Sequence, residues 1–357
     1  MHRIALAVAR GANAGRTNCT DRTGETAPRA HVFDEAFYRS WDESVLERSG
    51  FPRIGPKWWR LAHEIQRLRA DYDAIVTWGE RLSLSLLMLQ QLTNGGKPHI
   101  AMMYQFEKPN IRVPLTLFKR NLHAVITWSS VQRRALIENI RFPSKRVYLI
   151  RHFVDQIFYR PRQTEEDMIC AVGAEMRDYA TLLEAIRGTG LQCHIATDHV
   201  RVPGRFRLFK DRRVPIDNFP ESAPITKGRL SLIDLRHLYA RSRFVVVPLL
   251  PSDTDNGVTV ILEAMAMGKP VICSRTRGQV DVIREGVTGL YVPVGDAAAL
   301  RRAILSLWNE PMRAKQMGLN ARAYVEQYHT LEKFTVTARS AAEASLDSRP
   351  AQDTWWE

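Results

Sequence analysis

Residues 253–274 read DTDNGVTVILEAMAMGKPVICS and combine a polar loop, a helix and a strand in one short segment. The loop ends at Gly257, and from Val258 onward the apolar side chains recur at helical spacing. Gly268 ends the predicted helix, and the apolar residues after it restart the chain as a strand. Glu263 interrupts the apolar helix, and a buried carboxylate is costly unless it has a partner. The segment therefore predicts a functional site around Glu263.

Short apolar runs alternate with helical patterns along most of the chain, which predicts parallel sheets covered by helices. A polar segment from Arg160 to Asp167 interrupts the alternation, which then starts again at Met168–Val172. We expect an α/β protein of two doubly wound, Rossmann-like domains that face a cleft. The expected units are a first domain over 1–160, a second domain over 165–330, a helix over 331–346 that packs back toward the first domain, and a polar tail over 347–357.

Individual elements carry more specific expectations. His31–Phe33 is a candidate for the second strand of the first domain, and Arg213–Ile216 is a strand candidate in the second. Pro56–Tyr72 is a helix candidate with one apolar face, which is typical of a helix packed on a core and also of a helix lying on a membrane. The scattered cysteines, including Cys170, Cys193 and Cys273 in apolar runs, are expected to be buried free thiols.

The chain is basic, with a formal net charge of +13. Ten basic residues and one acid lie between Lys108 and Arg151. Such a surface attracts nucleic acid, an anionic membrane or an anionic substrate, or is simply solvated. The basic residues do not interleave with aromatic ones, which disfavours nucleic acid. With no apolar run long enough to span a bilayer and no apparent signal peptide, we expect a cytoplasmic protein, with peripheral contact to an anionic membrane as an open alternative.

Two predicted strand-to-helix turns favour phosphate binding. The first helical amides after Gly257, those of Val258 and Thr259, are placed to bind an anion such as a diphosphate. In the other turn, Gly173 allows a tight bend and Arg177 offers a fixed fork of donors, although Arg177 would equally suit an exposed loop. Glu263 is suited to accept hydrogen bonds from the vicinal hydroxyls of a ribose.

The segment SDTDNGVTVILEAMAMGKPVICS resembles the signature of the retaining glycosyltransferases of family 4, the group 1 transferases with the GT-B fold. The likeness continues in VGAEMRDYATLLEAI at 172–186 and spans about Ala124 to Tyr328. It implies transfer of a sugar from a nucleotide-sugar donor to a hydroxyl acceptor, with retention at the anomeric carbon. The acceptor would be a glycan, a lipid-linked group or a small molecule and would belong to the first domain. The donor is a co-substrate, no cofactor is implied, and a metal is not required.

Roles follow residue by residue from this resemblance. Glu263 would bind the ribose, Asp255 would contact the hydroxyls of the donor sugar, and Arg177 would hold the phosphates. The resemblance thus assigns catalytic roles to Arg177, Asp255 and Glu263, and donor-binding roles to Gly173, Arg177, Gly257, Val258, Thr259 and Glu263. The chain also departs from the family pattern: Asp255 replaces the usual Glu, Ala174 stands where an arginine is expected, and Tyr104 stands where the family often has a histidine.

Other functions remain open at this point. These departures are consistent with a catalytically impaired relative that keeps the fold, and the charge is consistent with a basic nucleic-acid- or membrane-binding protein. Another GT-B enzyme, such as an epimerase, lacks the assignable histidine and acid groups. Asp253-Thr254-Asp255 has the spacing of a metal-binding acid pair, but it precedes a phosphate-binding helix, so we expect no metal site.

Overall fold

The computed structural model describes residues 2–8, 37, 39–41, 55–93, 95–106, 108–163, 167–197, 199–202, 212–215, 225–228 and 230–347. These residues form two compact units. The first contains the described residues up to Arg151 and those from Glu332 onward, and the second contains those from His152 to Leu331. The candidate strand His31–Phe33 and the polar tail over 348–357 lie outside the described residues.

The first unit is built on a six-stranded parallel sheet with the order β2-β1-β3-β4-β5-β6. Its strands are β1 (Ile4–Val8), β2 (Arg39–Trp41), β3 (Ala74–Trp78), β4 (His99–Met102), β5 (Ala124–Thr127) and β6 (Val147–Leu149). Its helices before the second unit are α1 (Lys57–Arg67), α2 (Glu80–Leu92), α3 (Pro109–Phe118) and α4 (Ser130–Glu138).

The second unit contains another six-stranded parallel sheet, with the order β11-β8-β7-β12-β13-β14. Its strands are β7 (Met168–Val172), β8 (Gln192–Ala196), β11 (Ile225–Lys227), β12 (Val245–Val247), β13 (Val271–Ser274) and β14 (Gly289–Val292). Outside this sheet, β9 (His199–Val202) and β10 (Arg212–Pro215) form an antiparallel pair. The helices are α5 (Tyr179–Ile186), α6 (Leu232–Arg241), α7 (Val258–Ala266), α8 (Ala297–Asn309) and α9 (Pro311–Tyr328), followed by α10 (Leu331–Leu346), which belongs to the first unit from Glu332 onward.

Both faces of the second sheet are buried, as the continuous apolar strands predict. Along β7, Cys170 and Val172 join one hydrophobic cluster, while Ile169 and Ala171 join the cluster on the opposite face. Each fully buried aliphatic side chain of this kind contributes about 1.5–3 kcal/mol of burial free energy. The predicted α/β class with doubly wound parallel sheets is thereby confirmed.

Some predicted elements differ from the observed ones. Helix α1 ends at Arg67 rather than at Tyr72, because Tyr72 folds back and its hydroxyl donates to Ile65 O at 3.0 Å. The apolar face of α1 is buried in the core through Leu61 and Ile65, so the membrane alternative for this helix is wrong. The candidate strand Arg213–Ile216 is observed as β10, which pairs antiparallel with β9 outside the main sheet.

The structure also shows the state of three cysteines and the character of the helices. Cys170, Cys193 and Cys273 are buried free thiols, as predicted. None of the helices within the described ranges combines the length and the apolar character needed to cross a membrane.

The strand order of the second sheet locates its ligand-binding edge. The chain passes from β7 to β8 on one side and returns to β12 on the other side of β7. The topological switch point therefore lies between β7 and β12, and open α/β sheets bind ligands beyond the carboxyl ends of the strands at that point. The residues after Val172 and after Val247 are placed there.

Candidate functional site

The loops that follow β7 and β12 are joined by their backbones at the switch point. Asp178 N donates to Pro248 O at 3.0 Å, and Leu250 N donates to Met176 O at 2.9 Å. Met176 has a φ of 54°, a left-handed conformation that costs a non-glycine residue on the order of 1–3 kcal/mol. Asp178 then begins α5 by accepting a hydrogen bond from Thr181 N at 3.2 Å. The junction is thus held from both loops.

Arg177 is buried within this junction, with only 4% of its surface exposed. Its Nε donates to Val172 O at 2.9 Å and its Nη1 donates to Glu175 O at 2.7 Å. Gly173 lies directly against the guanidinium, since a Cβ there would come within 2.7 Å of Nη2. The hydroxyl of Tyr179 donates to Gly173 O at 2.6 Å and fixes this glycine. Position 173 therefore needs a glycine to admit the guanidinium.

The charge of Arg177 has no carboxylate partner among the described residues. Burying a cation without a counter-ion is costly, so the site is suited to an anionic ligand. Gly257 borders the same guanidinium, because a Cβ there would lie 3.7 Å from Nη1 and 2.9 Å from Val247 Cγ1. Its φ of 89° also favours glycine. Arg177 is consequently placed between two glycines at the start of α7.

The N-terminus of α7 offers fewer open amides than the sequence predicts. The first intrahelical hydrogen bond runs from Ile261 N to Gly257 O at 2.9 Å. The amide of Val258, predicted to bind phosphate, instead donates to Asp255 O at 3.2 Å. In the described part of the chain, the amide of Thr259 makes no backbone hydrogen bond. Of the two amides predicted to bind phosphate, that of Val258 is engaged by the preceding loop in this structure and that of Thr259 is open.

The loop before α7 is fixed by residues from the loop after β13. Asp255 is buried, and its carbonyl accepts a hydrogen bond from Gln279 Nε2 at 3.3 Å. The same amide group donates to Asn256 O at 3.3 Å. Gly278 allows the close contact between the two loops, because a Cβ there would lie 2.2 Å from Thr254 O. Asp255 is thus carried on a loop whose backbone is constrained from outside.

Glu263 lies farther along α7, is 8% exposed, and has the partners that its burial requires. The hydroxyl of Tyr239 donates to Glu263 Oε2 at 2.8 Å, and Tyr159 also hydrogen-bonds to this carboxylate. Burial raises the pKa of Glu263 to about 7, and the two tyrosine hydrogen bonds oppose the rise. Arg322 supports the arrangement because its Nη1 donates to Tyr159 O at 3.1 Å and to Ala266 O at 2.7 Å.

The structure brings together Gly173, Arg177 and Gly257, and it places Glu263 on the helix that Gly257 begins. Sequence reasoning missed Tyr159 and Tyr239. Tyr239 lies in the segment LRHLYARSRFVVVPL, but a tyrosine on an apolar helix face is ordinarily core. Nothing in the local sequence links either tyrosine to Glu263.

The acid pair before α7 is divided between two environments. Asp253 is exposed and forms an ion pair with Arg277 at 3.3 Å, whereas Asp255 is buried. Within the described ranges there is no group of three or more His, Cys, Asp or Glu side chains that could hold a metal ion.

The carboxyl ends of the strands in the first unit carry aromatic side chains. The ring of Trp128 lies 6.1 Å from that of Trp78 and 5.1 Å from that of Tyr104. Phe334 of α10 lies 5.5 Å from Trp78. Glu80 Oε1 accepts hydrogen bonds from the amide of Tyr104 at 2.9 Å and from that of the next residue at 2.8 Å. The position where a histidine was anticipated is therefore part of an aromatic cluster.

Comparisons with known proteins agree with this arrangement. Residues 220–310 match the family model of the glycosyl transferases group 1. The D-rhamnosyltransferase WbpZ of Pseudomonas aeruginosa is 41% identical over 71 residues, which cover 20% of this chain and 19% of that protein. An uncharacterized glycosyltransferase of Methanocaldococcus jannaschii is 28% identical over 148 residues, or 40% of this chain and 41% of that protein. The matches thus span less than half the length of these curated relatives.

Similarity to solved structures extends over nearly the whole chain. HepE of Anabaena, in complex with UDP and glucose, has a TM-score of 0.68 at 15% identity, and the alignment covers 98% of this chain and 100% of that one. The chain therefore has the GT-B fold, as predicted. The match of residues 220–310 to the group 1 glycosyltransferase model agrees with the group 1 resemblance read from the sequence.

Proposed function

We propose that this protein transfers a sugar from a nucleoside-diphosphate donor to a hydroxyl acceptor, with retention of configuration at the anomeric carbon. The observation that carries the proposal is the buried guanidinium of Arg177, which has no carboxylate partner among the described residues and lies between Gly173 and Gly257 at the switch point. An anion is the natural counter-ion for such a group, and the start of α7 adds its dipole and the Thr259 amide.

The donor would be held along α7, from its N-terminus to Glu263. Arg177 and Thr259 would bind the diphosphate, while Glu263, fixed by Tyr239 at 2.8 Å, would accept hydrogen bonds from the ribose hydroxyls. Asp255 would meet the hydroxyls of the donor sugar, carried on the loop that Gln279 constrains. Because Asp is one methylene shorter than Glu, we expect this position to influence which sugar is accepted.

The chemical demand is to stabilise the negative charge that develops on the leaving diphosphate while the sugar becomes oxocarbenium-like. Arg177 is already held by two carbonyl oxygens, so its charge needs little reorganisation when the bond breaks. Loss of one preorganised donor of this kind costs on the order of 10²–10³ in rate. The departing phosphate would take the proton from the incoming hydroxyl on the same face of the sugar, without a nucleophile from the protein.

The proposal assigns the acceptor to the first unit and requires neither a cofactor nor a metal. The aromatic rings of Trp78 and Tyr104 at the carboxyl ends of β3 and β4 suit an acceptor with an apolar ring face. A glycan presents such faces, and so does the sugar of a lipid-linked acceptor.

The direct test is to incubate the purified protein with UDP-, GDP- and ADP-glucose and to follow the anomeric proton of the released sugar by NMR. Retention predicts that the α-linked donor first yields an α-configured product, before mutarotation. A β-configured first product would contradict the retaining mechanism. Absence of turnover with tight binding of one nucleotide would instead identify a catalytically impaired relative, the reading that Ala174 and Tyr104 leave open.

A further inference from the structure

A polar pocket lies in the first unit, at the amino ends of its strands, and is distinct from the candidate site in the second unit. It has a volume of about 580 Å³ and is bordered by the residues that precede β4, β5 and β6. The amino ends of parallel strands lie at the edge opposite to the carboxyl ends, so this pocket is separate from the aromatic cluster of Trp78, Tyr104 and Trp128. The proposed transfer reaction gives it no role.

The pocket is positively charged. Its lining includes Lys97, Arg120, His123 and Arg146, and none of the described residues that line it is acidic. Within the described part of the chain, the side chains of Lys97 and Arg120 make neither a hydrogen bond nor an ion pair, and Lys97 acts on the carboxylate of Asp73 only at longer range. Their ammonium and guanidinium donors are therefore available to a ligand.

The walls of the pocket are built from internal hydrogen bonds. Arg146 donates through Nε to His123 O at 2.6 Å and through Nη2 to Leu122 O. Gln90 Nε2 donates to Lys97 O at 3.1 Å, which fixes the loop that carries this lysine. The pocket is consequently an open depression with hydrogen-bonded walls and two cations in its lining, suited to a phosphate group.

Exposed aliphatic side chains lie on α2, which borders the pocket, and on α3, which leads into it. Leu92 ends α2, directly after the lining residues Gln90 and Gln91, and is 74% exposed. On α3, Val113 is 53% exposed and Leu117, one turn later, is 69% exposed. Helix α3 continues into the turn at 119–121 that lines the pocket, and α2 packs against both.

We propose that this pocket binds the phosphate group of an anionic membrane lipid, while Leu92, Val113 and Leu117 enter the interface of the bilayer. Charge complementarity supports a lipid as the ligand, because unpaired cations beside exposed aliphatic pairs provide the two signals that stable peripheral binding requires. A soluble phosphate compound would use the cations but would leave the aliphatic side chains in water. This site gives the basic stretch from Lys108 to Arg151 a specific binding partner.

The test is flotation of the full chain with vesicles of phosphatidylcholine, with and without phosphatidylglycerol, at two ionic strengths. Binding is expected only to the anionic vesicles and is expected to weaken with salt. Each of Lys97→Gln and Arg120→Gln should weaken it about fivefold, since one basic residue near the surface contributes about 1 kcal/mol. The matched control is Arg134→Gln, which removes the same charge from an exposed position outside the pocket and should change binding less than twofold.

The aliphatic contribution has its own pair of variants. Leu117→Ser should weaken vesicle binding, whereas Met312→Ser, at an equally exposed position on α9 of the second unit, should not. All variants should keep the melting temperature of the parent, because the substituted side chains are exposed or half-buried.

Three results would overturn the proposal. One is unchanged vesicle binding in the Lys97→Gln/Arg120→Gln double variant, and another is an equal loss in Arg134→Gln, which would mean that net charge alone acts. The third comes from titration with inorganic phosphate by calorimetry. Phosphate binding that depends on Lys97 and Arg120, without any binding to anionic vesicles, would assign the pocket to a soluble anion instead of a lipid.

Discussion

The carboxyl edges of the two parallel sheets have opposite chemical characters. In the second unit this edge holds a buried cation, Arg177, and a buried acid, Glu263, each fixed by hydrogen bonds. In the first unit it holds the rings of Trp78, Tyr104 and Trp128, and its nearby acid, Glu80, accepts hydrogen bonds from backbone amides. One edge thus presents charged groups held by hydrogen bonds, and the other presents aromatic rings.

The two carboxyl edges place different requirements on the amino-acid sequence. Recognition of an anion needs particular groups at particular positions, such as Gly173 against a guanidinium and Gly257 with a positive φ. An aromatic surface can be built from several residue types without fixed spacing. The two proposed halves of the reaction therefore constrain the chain to different extents, and variants at the two edges should differ in their effects.

The largest effect is expected at Arg177. Arg177→Met should lower the rate of sugar transfer by about 10²–10³, because it removes a preorganised donor to the leaving diphosphate. Initial rates with a labelled donor measure the loss. The control is Arg187→Met on the same unit, an exposed arginine paired with Glu184 at 2.9 Å, which should keep the parental rate. Parental activity in the Arg177 variant would remove the distinction between the two edges.

The next effect is a pH dependence that originates at Glu263. Its pKa is about 7 in the folded chain against an ordinary value of 4.5, so the folded chain holds an extra proton between these pH values. Stability from this group is present at low pH and falls by on the order of 3 kcal/mol as the pH rises from 4.5 to 7. Denaturant unfolding at pH 4.5 and 7 should show a slope that Glu263→Gln removes.

Donor binding should have the opposite pH dependence. The carboxylate form of Glu263 accepts hydrogen bonds from the ribose, so affinity should rise through pH 7. Tyr239→Phe deletes a hydrogen bond that lowers the pKa of Glu263, and the midpoint should therefore move to higher pH. An unchanged midpoint in this variant would contradict the role of Tyr239.

A smaller effect on nucleotide binding should distinguish Gly257 from Gly295, two glycines that both have a positive φ. Gly257→Ala places a Cβ 2.9 Å from Val247 Cγ1 next to Arg177, whereas Gly295→Ala meets nothing within 4 Å. Both variants carry a backbone cost of about 1–2 kcal/mol, but only Gly257→Ala should also weaken nucleotide binding. Calorimetric titration of both variants measures the difference, and equal affinities would mean that the close contact at Gly257 is unimportant.

The smallest effect is expected at the aromatic edge. Tyr104→Leu removes one ring contact with Trp128, which contributes about 0.5–1.5 kcal/mol to stability, and should leave nucleotide affinity within twofold of the parent. The same titration measures it. A large loss of nucleotide affinity would show that this edge also serves the donor.

The sequence predicts the second edge better than the first for a physical reason. Gly173 and Arg177 lie between β7 and α5, Gly257 caps α7 and Glu263 lies on α7, so local order along the chain is enough to place them. Tyr239 on α6 reaches Glu263 on α7 across 24 positions of sequence through a single tertiary hydrogen bond, which no local pattern records. The hydrogen bond from the Val258 amide to Asp255 O was likewise not foreseen, because it depends on the conformation of the preceding loop.

In the fold, too, local patterns predict the elements but not their long-range pairing. Continuous apolar runs specify the buried parallel strands, and these were predicted. β9 and β10 pair with each other in a two-stranded sheet of their own, and the strand at 212–215 could be found from the sequence but its pairing could not. The helix at 331–346 was expected to return to the first domain, and in the structure Phe334 and Ser345 contact residues of the first unit, Trp78 and His123 respectively.

The central claim is that Arg177 binds the diphosphate of a nucleotide. Its most direct test is the thermal unfolding of the parent and of Arg177→Met in the presence of UDP, GDP and ADP. At 100 times its dissociation constant, one of these nucleotides should stabilise the parent by about 2.7 kcal/mol, and the matching nucleoside should not. The same nucleotide should leave Arg177→Met unshifted. Equal stabilisation of both proteins, or no stabilisation of the parent by any of the three, would contradict the account.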